Sequence, residues 1–229
     1  MTLVRPLPRV LSRTVDPSPG VERRAPRVLA VADSDSYLKW AVWTLARLRD
    51  DVASRRPGPD GLEGPAAGEG PHVSAVVVRS PIAPTAGQTA AAVSGTGVGR
   101  PPVLGPGALR RLVRRTRPDV VLVAATGPVA ELVAGQVVRA LPAGRRPALL
   151  AGLPGMALPA TPQGAGWRRW CDAFLVHARV EVGPYVEAFA RQGARPDLVL
   201  TPLPFLDEAP APPRAALRRV VLAAHAHVP

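Results

Sequence analysis

From Asp33 to Trp40 the sequence reads DSDSYLKW, gathering Asp33, Ser34, Asp35, Ser36, Tyr37 and Lys39, the only lysine of the chain, around one short segment. Carboxylates interleaved with hydroxyls can bind sugar hydroxyls, hold a cation or take a proton as a general base. One Asp or Ser is enough to cap a helix here, so the cluster exceeds what a helix start requires.

Other chemistry-bearing groups follow later apolar runs in the same way. Ser80-Pro81 follows Val73–Val78, and Thr126-Gly127-Pro128 follows Val120–Ala125, offering a hydroxyl, a small residue and a proline suited to a first helical turn. Gly152-Leu153-Pro154-Gly155, continuing to Pro159-Ala160-Thr161, makes a rigid loop whose backbone can approach a ligand closely. His177 closes the run from Phe174, with Arg179 and Glu181 just beyond; a histidine there serves as base, anion contact or structural group. Pro204-Phe205 ends the series. Trp40 with Trp43 and Trp167 with Trp170 are helically spaced pairs, suited to core packing or to stacking on a sugar ring, and Trp40 is counted with the substrate contacts.

The elements that must position these groups are visible as alternating patterns. Val28–Ala32, Val73–Val78, Val120–Ala125, Ala148–Gly152, Phe174–His177 and Leu198–Leu200 are continuous apolar runs, as expected of strands buried on both faces. Val103-Leu104 adds a very short one. Tyr37–Asp50, Gly87–Ser94, Gly107–Arg117, Pro128–Leu141 and Val180–Gln192 carry apolar residues at helical spacing, bounded by Gly or Pro. Strand alternating with helix predicts a Rossmann-like α/β domain, its mostly parallel sheet covered on both faces. Ligands of such sheets bind outside the carboxyl ends of the strands, where all the groups above fall.

The organisation expected along the chain is a disordered tail over residues 1–25, a domain over 26–206 with a flexible insertion at Ser54–Pro71, a linker at Asp207–Leu217, and the start of a second domain over 218–229. The linker is rich in Ala and Pro, and the apolar strand Arg219–Ala224 ends almost at once. A lone strand cannot bury two faces, so this tail either adds to the first sheet or, as is expected here, makes the chain the front portion of a longer two-domain protein.

The formal charge is +12, and Lys39 stands alone among 29 basic residues. The arginines come in scattered pairs such as Arg110/Arg111 and Arg145/Arg146 with few aromatics between them. This reads as surface composition, and nucleic acid is not expected as a partner. The single Cys171 excludes an internal disulfide and a four-cysteine zinc site, and reads as a buried small hydrophobe in a reducing compartment. No run reaches the roughly 18 apolar residues of a membrane span, so the expected location is the cytoplasm, with room for peripheral contact with a membrane.

Several motifs fail on context. The turn after the first strand has no glycine, which removes the dinucleotide fingerprint, and Gly95-Thr96-Gly97-Val98-Gly99 follows a helical segment and reads as a loop. DSD after a strand matches the nucleophile loop of haloacid-dehalogenase-like phosphatases in shape, yet no later lysine or acidic pair completes that site. The metal-binding D-x-D of single-domain glycosyltransferases usually lies mid-domain.

Taken together, RVLAVADSDSYLKWA, VVVRSPIAPTAGQ, PDVVLVAATGPVAELV, PALLAGLPGMALPAT and CDAFLVHARVEVGPY resemble a family of uncharacterised actinobacterial proteins classed as glycosyltransferases, over roughly residues 27–229. That family is similar to GT-B glycosyltransferases, with two facing Rossmann-like domains. The resemblance implies transfer of a sugar from a nucleotide sugar to a glycan or other small-molecule acceptor, with no metal and no cofactor beyond the donor substrate, which the second domain would mainly hold. It also implies that the first-strand loop lines the acceptor cleft and bears the base, here Asp33 or Asp35. Lys39, His177 and Arg179 are then polar or phosphate contacts, His177 also a candidate catalytic group, and Ser34, Ser36, Tyr37, Trp40, Ser80, Thr126, Gly127, Gly152, Pro154 and Gly155 line the substrate. Members would continue into a full second domain, whereas this chain stops at Ala224-His225-Ala226-His227 and two residues beyond, so it is expected to be inactive alone. The alternatives are a non-catalytic module binding a small sugar or nucleotide, and a metal-dependent phosphatase built on Asp33 and Asp35.

Overall fold

The computed structural model describes residues 24–54 and 70–206. The insertion expected at Ser54–Pro71, apart from its end residues, the linker Asp207–Leu217 and the strand Arg219–Ala224 lie outside them. Of the tail expected over residues 1–25, Arg24 and Ala25 are described and already belong to the body: Ala25 is buried and Arg24 pairs with Asp119.

Among the described residues there are seven strands: β1 (Arg27–Ala32), β2 (His72–Val78), β3 (Val103–Leu104), β4 (Val120–Ala124), β5 (Ala148–Gly152), β6 (Ala173–Val176) and β7 (Asp197–Leu200). They form one all-parallel sheet in the order β3-β2-β1-β4-β5-β6-β7. Every residue of β4 and of β6 is buried, as is all of β1 after Arg27. That is why these segments read as unbroken apolar runs: with helices on both sides, neither face can be polar.

The helices are α1 (Asp35–Ser54), α2 (Ala86–Val93), α3 (Pro106–Thr116), α4 (Gly127–Val138), α5 (Pro162–Gly166) and α6 (Arg179–Ala190). One face of the sheet packs Leu29, Val31, Val121 and Val123 against Leu109 and Val113 of α3, Val133 and Val137 of α4, Ala165 of α5 and Phe189 of α6. The other packs Val28, Ala30, Leu122 and Ala124 against Leu38, Trp40, Val42 and Leu45 of α1 and Ala92 of α2. The expected doubly covered Rossmann-like α/β architecture is therefore present.

Two details differ from the sequence expectation. Helix α1 starts at Asp35 and runs to Ser54, longer at both ends than its apolar spacing indicated. Helix α5 was not anticipated, because PQGAG has weak helix propensity; it is held by the Thr161 hydroxyl, which accepts from Gly164 N at 3.1 Å, and by burial of Ala165 and Gly166.

The amino ends of the strands are tied by acids. Asp119 accepts from Arg27 N at 2.8 Å, and Asp172 accepts from Leu149 N at 2.8 Å while pairing with both terminal nitrogens of Arg146. These carboxylates satisfy backbone donors that the sheet edge leaves open.

Candidate functional site

Between β1 and β4 the strand order reverses, and the loops leaving their carboxyl ends diverge to α1 and α4 on opposite faces. Asp33 sits at this switch point with no exposed surface. Its Oδ2 accepts from Thr126 N at 3.1 Å and from the Thr126 hydroxyl, and its backbone carbonyl accepts from the Ser80 hydroxyl at 2.8 Å. One residue thus joins the ends of β2, β1 and β4. The other carboxylate oxygen, Oδ1, is buried without a hydrogen-bond partner, as is the hydroxyl of Ser34.

Beside Asp33 lies a group that local sequence did not reveal. Arg168, only 4% exposed, donates to Ala125 O at 2.8 Å, to the Tyr37 hydroxyl at 3.1 Å and to Gly164 O at 3.1 Å. Burial pushes the Tyr37 phenol up from its ordinary range, with the Arg168 charge opposing and the Asp33 charge adding to the rise. Among so many arginines, nothing in WRRWC marks Arg168 as the buried one. Its only signal is a position between Trp167 and Cys171, both packed inward.

The predicted residues divide by exposure. Asp35 is half-buried and Ser36 exposed at the start of α1; Ser80, Thr126, Pro154 and Gly155 are half-buried along the rim, and Arg179 is exposed. These form the accessible edge. Tyr37 and Trp40 are buried, Trp40 completely, so neither presents a face to a ligand, and the Trp40 indole is core packing rather than a stacking platform. Lys39 is exposed and places its Nζ 5.6 Å from the centre of the Phe205 ring, next to the segment after β7.

Two of the three site glycines are small for a packing reason. A Cβ on Gly127 would lie 1.7 Å from the Trp167 ring, and one on Gly152 would lie 2.7 Å from the Trp40 ring. Indoles, not ligand atoms, fill the space that the missing side chains leave. Gly155 has open space around it.

His177 is half-buried, and both ring nitrogens face backbone carbonyls, Nδ1 at 3.0 Å from Thr201 O and Nε2 at 2.8 Å from Leu153 O. It links the loops after β5 and β7, and neither nitrogen is left for a substrate proton. Glu181, 1% exposed, accepts from His177 N and Ala178 N at 2.8 Å and from Ala157 N at 3.0 Å. It fastens the Gly152–Thr161 loop to the start of α6, and Tyr185 donates to Ala157 O of the same loop at 3.2 Å.

Among the described residues no group of three or more His, Cys, Asp or Glu side chains is arranged to hold a metal ion. Asp33, enclosed and bound by Thr126, and Asp35, on the rim, do not share one environment. Among the described residues no helix is long and apolar enough to cross a membrane.

Fold and switch-point geometry define a Rossmann-like α/β domain with its candidate site over β1 and β4. The chain belongs to the family described as "Putative glycosyltransferase (DUF6716)", which matches residues 28–229. No curated relative matches it. Among solved structures it is similar to one titled a putative UDP-N-acetylglucosamine 2-epimerase from Listeria monocytogenes, with a TM-score of 0.50 and 9% identity over 77% of this chain. That likeness concerns the fold, and the match spans 45% of the epimerase chain.

Proposed function

We propose that this chain is the acceptor-side domain of a GT-B-like glycosyltransferase, which transfers a sugar from a nucleotide sugar to a glycan or other small-molecule acceptor. The observation that carries the reading is the layered switch point: a closed Asp33–Thr126 clasp beneath an accessible rim of Asp35, Ser36, Ser80 and Thr126. Family membership supports the reaction class.

In the proposed step Asp35 is the base that meets the acceptor, because it is the carboxylate of the loop with exposed surface. It takes the acceptor hydroxyl proton as that oxygen attacks the anomeric carbon, and the bond from that carbon to the nucleoside diphosphate breaks, the diphosphate leaving with the electron pair. Asp33 is a positioning residue: through Thr126 and Ser80 it sets the loops that present Asp35 and the rim hydroxyls. A second domain facing the rim would hold the nucleotide sugar.

The test measures nucleoside diphosphate release from UDP-, GDP- and dTDP-sugars in the presence of glycan acceptors, using the protein with any natural continuation of the chain. Acceptor-dependent release that falls about 100-fold or more in Asp35→Asn is the expected result. Undiminished release in that variant removes Asp35 as base. Saturable sugar binding without release would instead establish the non-catalytic binding module.

A further inference from the structure

At the amino ends of the strands, opposite the switch point, a cleft of about 930 Å³ opens between the carboxyl ends of α3 and α4 and the segment that precedes β5. Arg110, Arg114, Arg117, Arg139 and Arg145 line it, and all five are exposed. None of them has an acidic partner among the described residues. Among the described residues the one acid in the cleft, Asp119, is already engaged by Arg24 and by Arg27 N, and Arg146 at its margin is paired with Asp172. Among the described residues, therefore, the five guanidiniums concentrate positive charge in one concavity with no counter-charge of their own.

Helix capping explains only part of this arrangement. Cations at a helix carboxyl end complement its dipole, and Arg114, Arg117 and Arg139 stand at such ends. Arg110 lies a turn earlier in α3, and Arg145 closes a 3-10 turn of only three residues, Ala143–Arg145, which has little dipole to complement. Arg117 is more telling. It adopts the left-handed backbone region at φ 46°, where glycine is favoured after a helix, yet the position holds a side chain that reaches the cleft. Like charges gathered in a hollow repel one another unless an anion shares the space.

We propose that this cleft binds a small ligand bearing two or three linked phosphates. Guanidinium matches phosphate oxygens in paired hydrogen bonds, and the volume suits a small molecule. Among the described residues no aromatic side chain lines the cleft to offer a platform for an unpaired base. Its concavity suits a compact ligand better than a flat membrane. The site is independent of the transferase reading, since it stands at the amino ends of the strands rather than the carboxyl ends.

The probe is inorganic tripolyphosphate, titrated calorimetrically into the whole 229-residue chain at low salt. One saturating site is expected, with affinity falling about 10-fold or more in Arg114→Ala/Arg139→Ala. Arg117→Gly separates binding from structure, because it relieves the left-handed backbone: affinity falls while the melting temperature holds or rises. Arg100→Ala, which removes an exposed arginine outside the cleft, leaves binding unchanged. Equal affinity in the arginine variants, non-saturating uptake, or binding to phosphatidylglycerol vesicles without binding to tripolyphosphate overturns the proposal.

Discussion

Thr126 holds Oδ2 of Asp33 twice, through its backbone N–H at 3.1 Å and through its hydroxyl, across 93 residues of sequence, while Oδ1 stays buried without a partner. Removing the hydroxyl takes one donor from an enclosed carboxylate. Thr126→Val should therefore cost about 1–3 kcal/mol, and Thr126→Ser should restore most of it. Thermal unfolding of the two variants provides the comparison, and a Val variant as stable as the parent would show the clasp contributes nothing.

Gly127 and Trp167 are a packing pair. A methyl on Gly127 meets the indole at 1.7 Å, so Gly127→Ala should destabilise by about 1–3 kcal/mol through overpacking. With Trp167→Ala already present the same change should cost little, a coupling that a double-mutant cycle reads directly. Additive effects would mean the ring moves aside freely.

Arg168 joins three acceptors inside the domain, and two of them lie at the switch point: Ala125 O in the loop after β4 and the Tyr37 hydroxyl in the first turn of α1. Arg168→Met keeps the length of the side chain and removes every donor, which should cost about 2–4 kcal/mol. Tyr37→Phe removes one partner and should cost about 1 kcal/mol. Denaturant unfolding should rank them in that order, and the reverse ranking would place the strain on the phenol.

Burial pushes both the Cys171 thiol and the Tyr185 phenol up to about 12, from ordinary values of 9.0 and 10.0; the Glu181 charge adds to the rise at Tyr185. As pH climbs from about 9 to about 12 the unfolded chain gives up these protons before the native one does. Stability should thus be undiminished below pH 9.0 and decline through that window. Native Cys171 should also resist iodoacetamide at neutral pH and react once the chain is unfolded. Rapid alkylation of the folded protein would contradict its burial.

Much of the fold could be read before any coordinates were known. Runs such as Val120–Ala124 have no polar residue on either face, and only a strand between two layers of helix tolerates that. The loop at the end of β1 was equally visible, because four successive polar side chains interrupt an apolar pattern at a point where helices begin. Helix α5 was not, since its sequence has little propensity and its stability comes from the residues it packs upon.

The roles within the site depended on contacts that no local pattern carries. Alternation and helical spacing report which side of an element faces inward, but not which elements become neighbours. That β1 lies beside β4 is a matter of strand order, and it alone brings Asp33 to Thr126 and leaves Asp35 on the rim. Tyr37 and Arg168 meet across 131 residues for the same reason. The loop at Gly152 suggests close approach by a ligand, yet at Gly152, as at Gly127, the close approach is by a tryptophan ring. The arginine pairs looked scattered along the chain. The carboxyl ends of α3 and α4 converge at the amino ends of the strands, and only this convergence turns ordinary basic composition into a charged cleft.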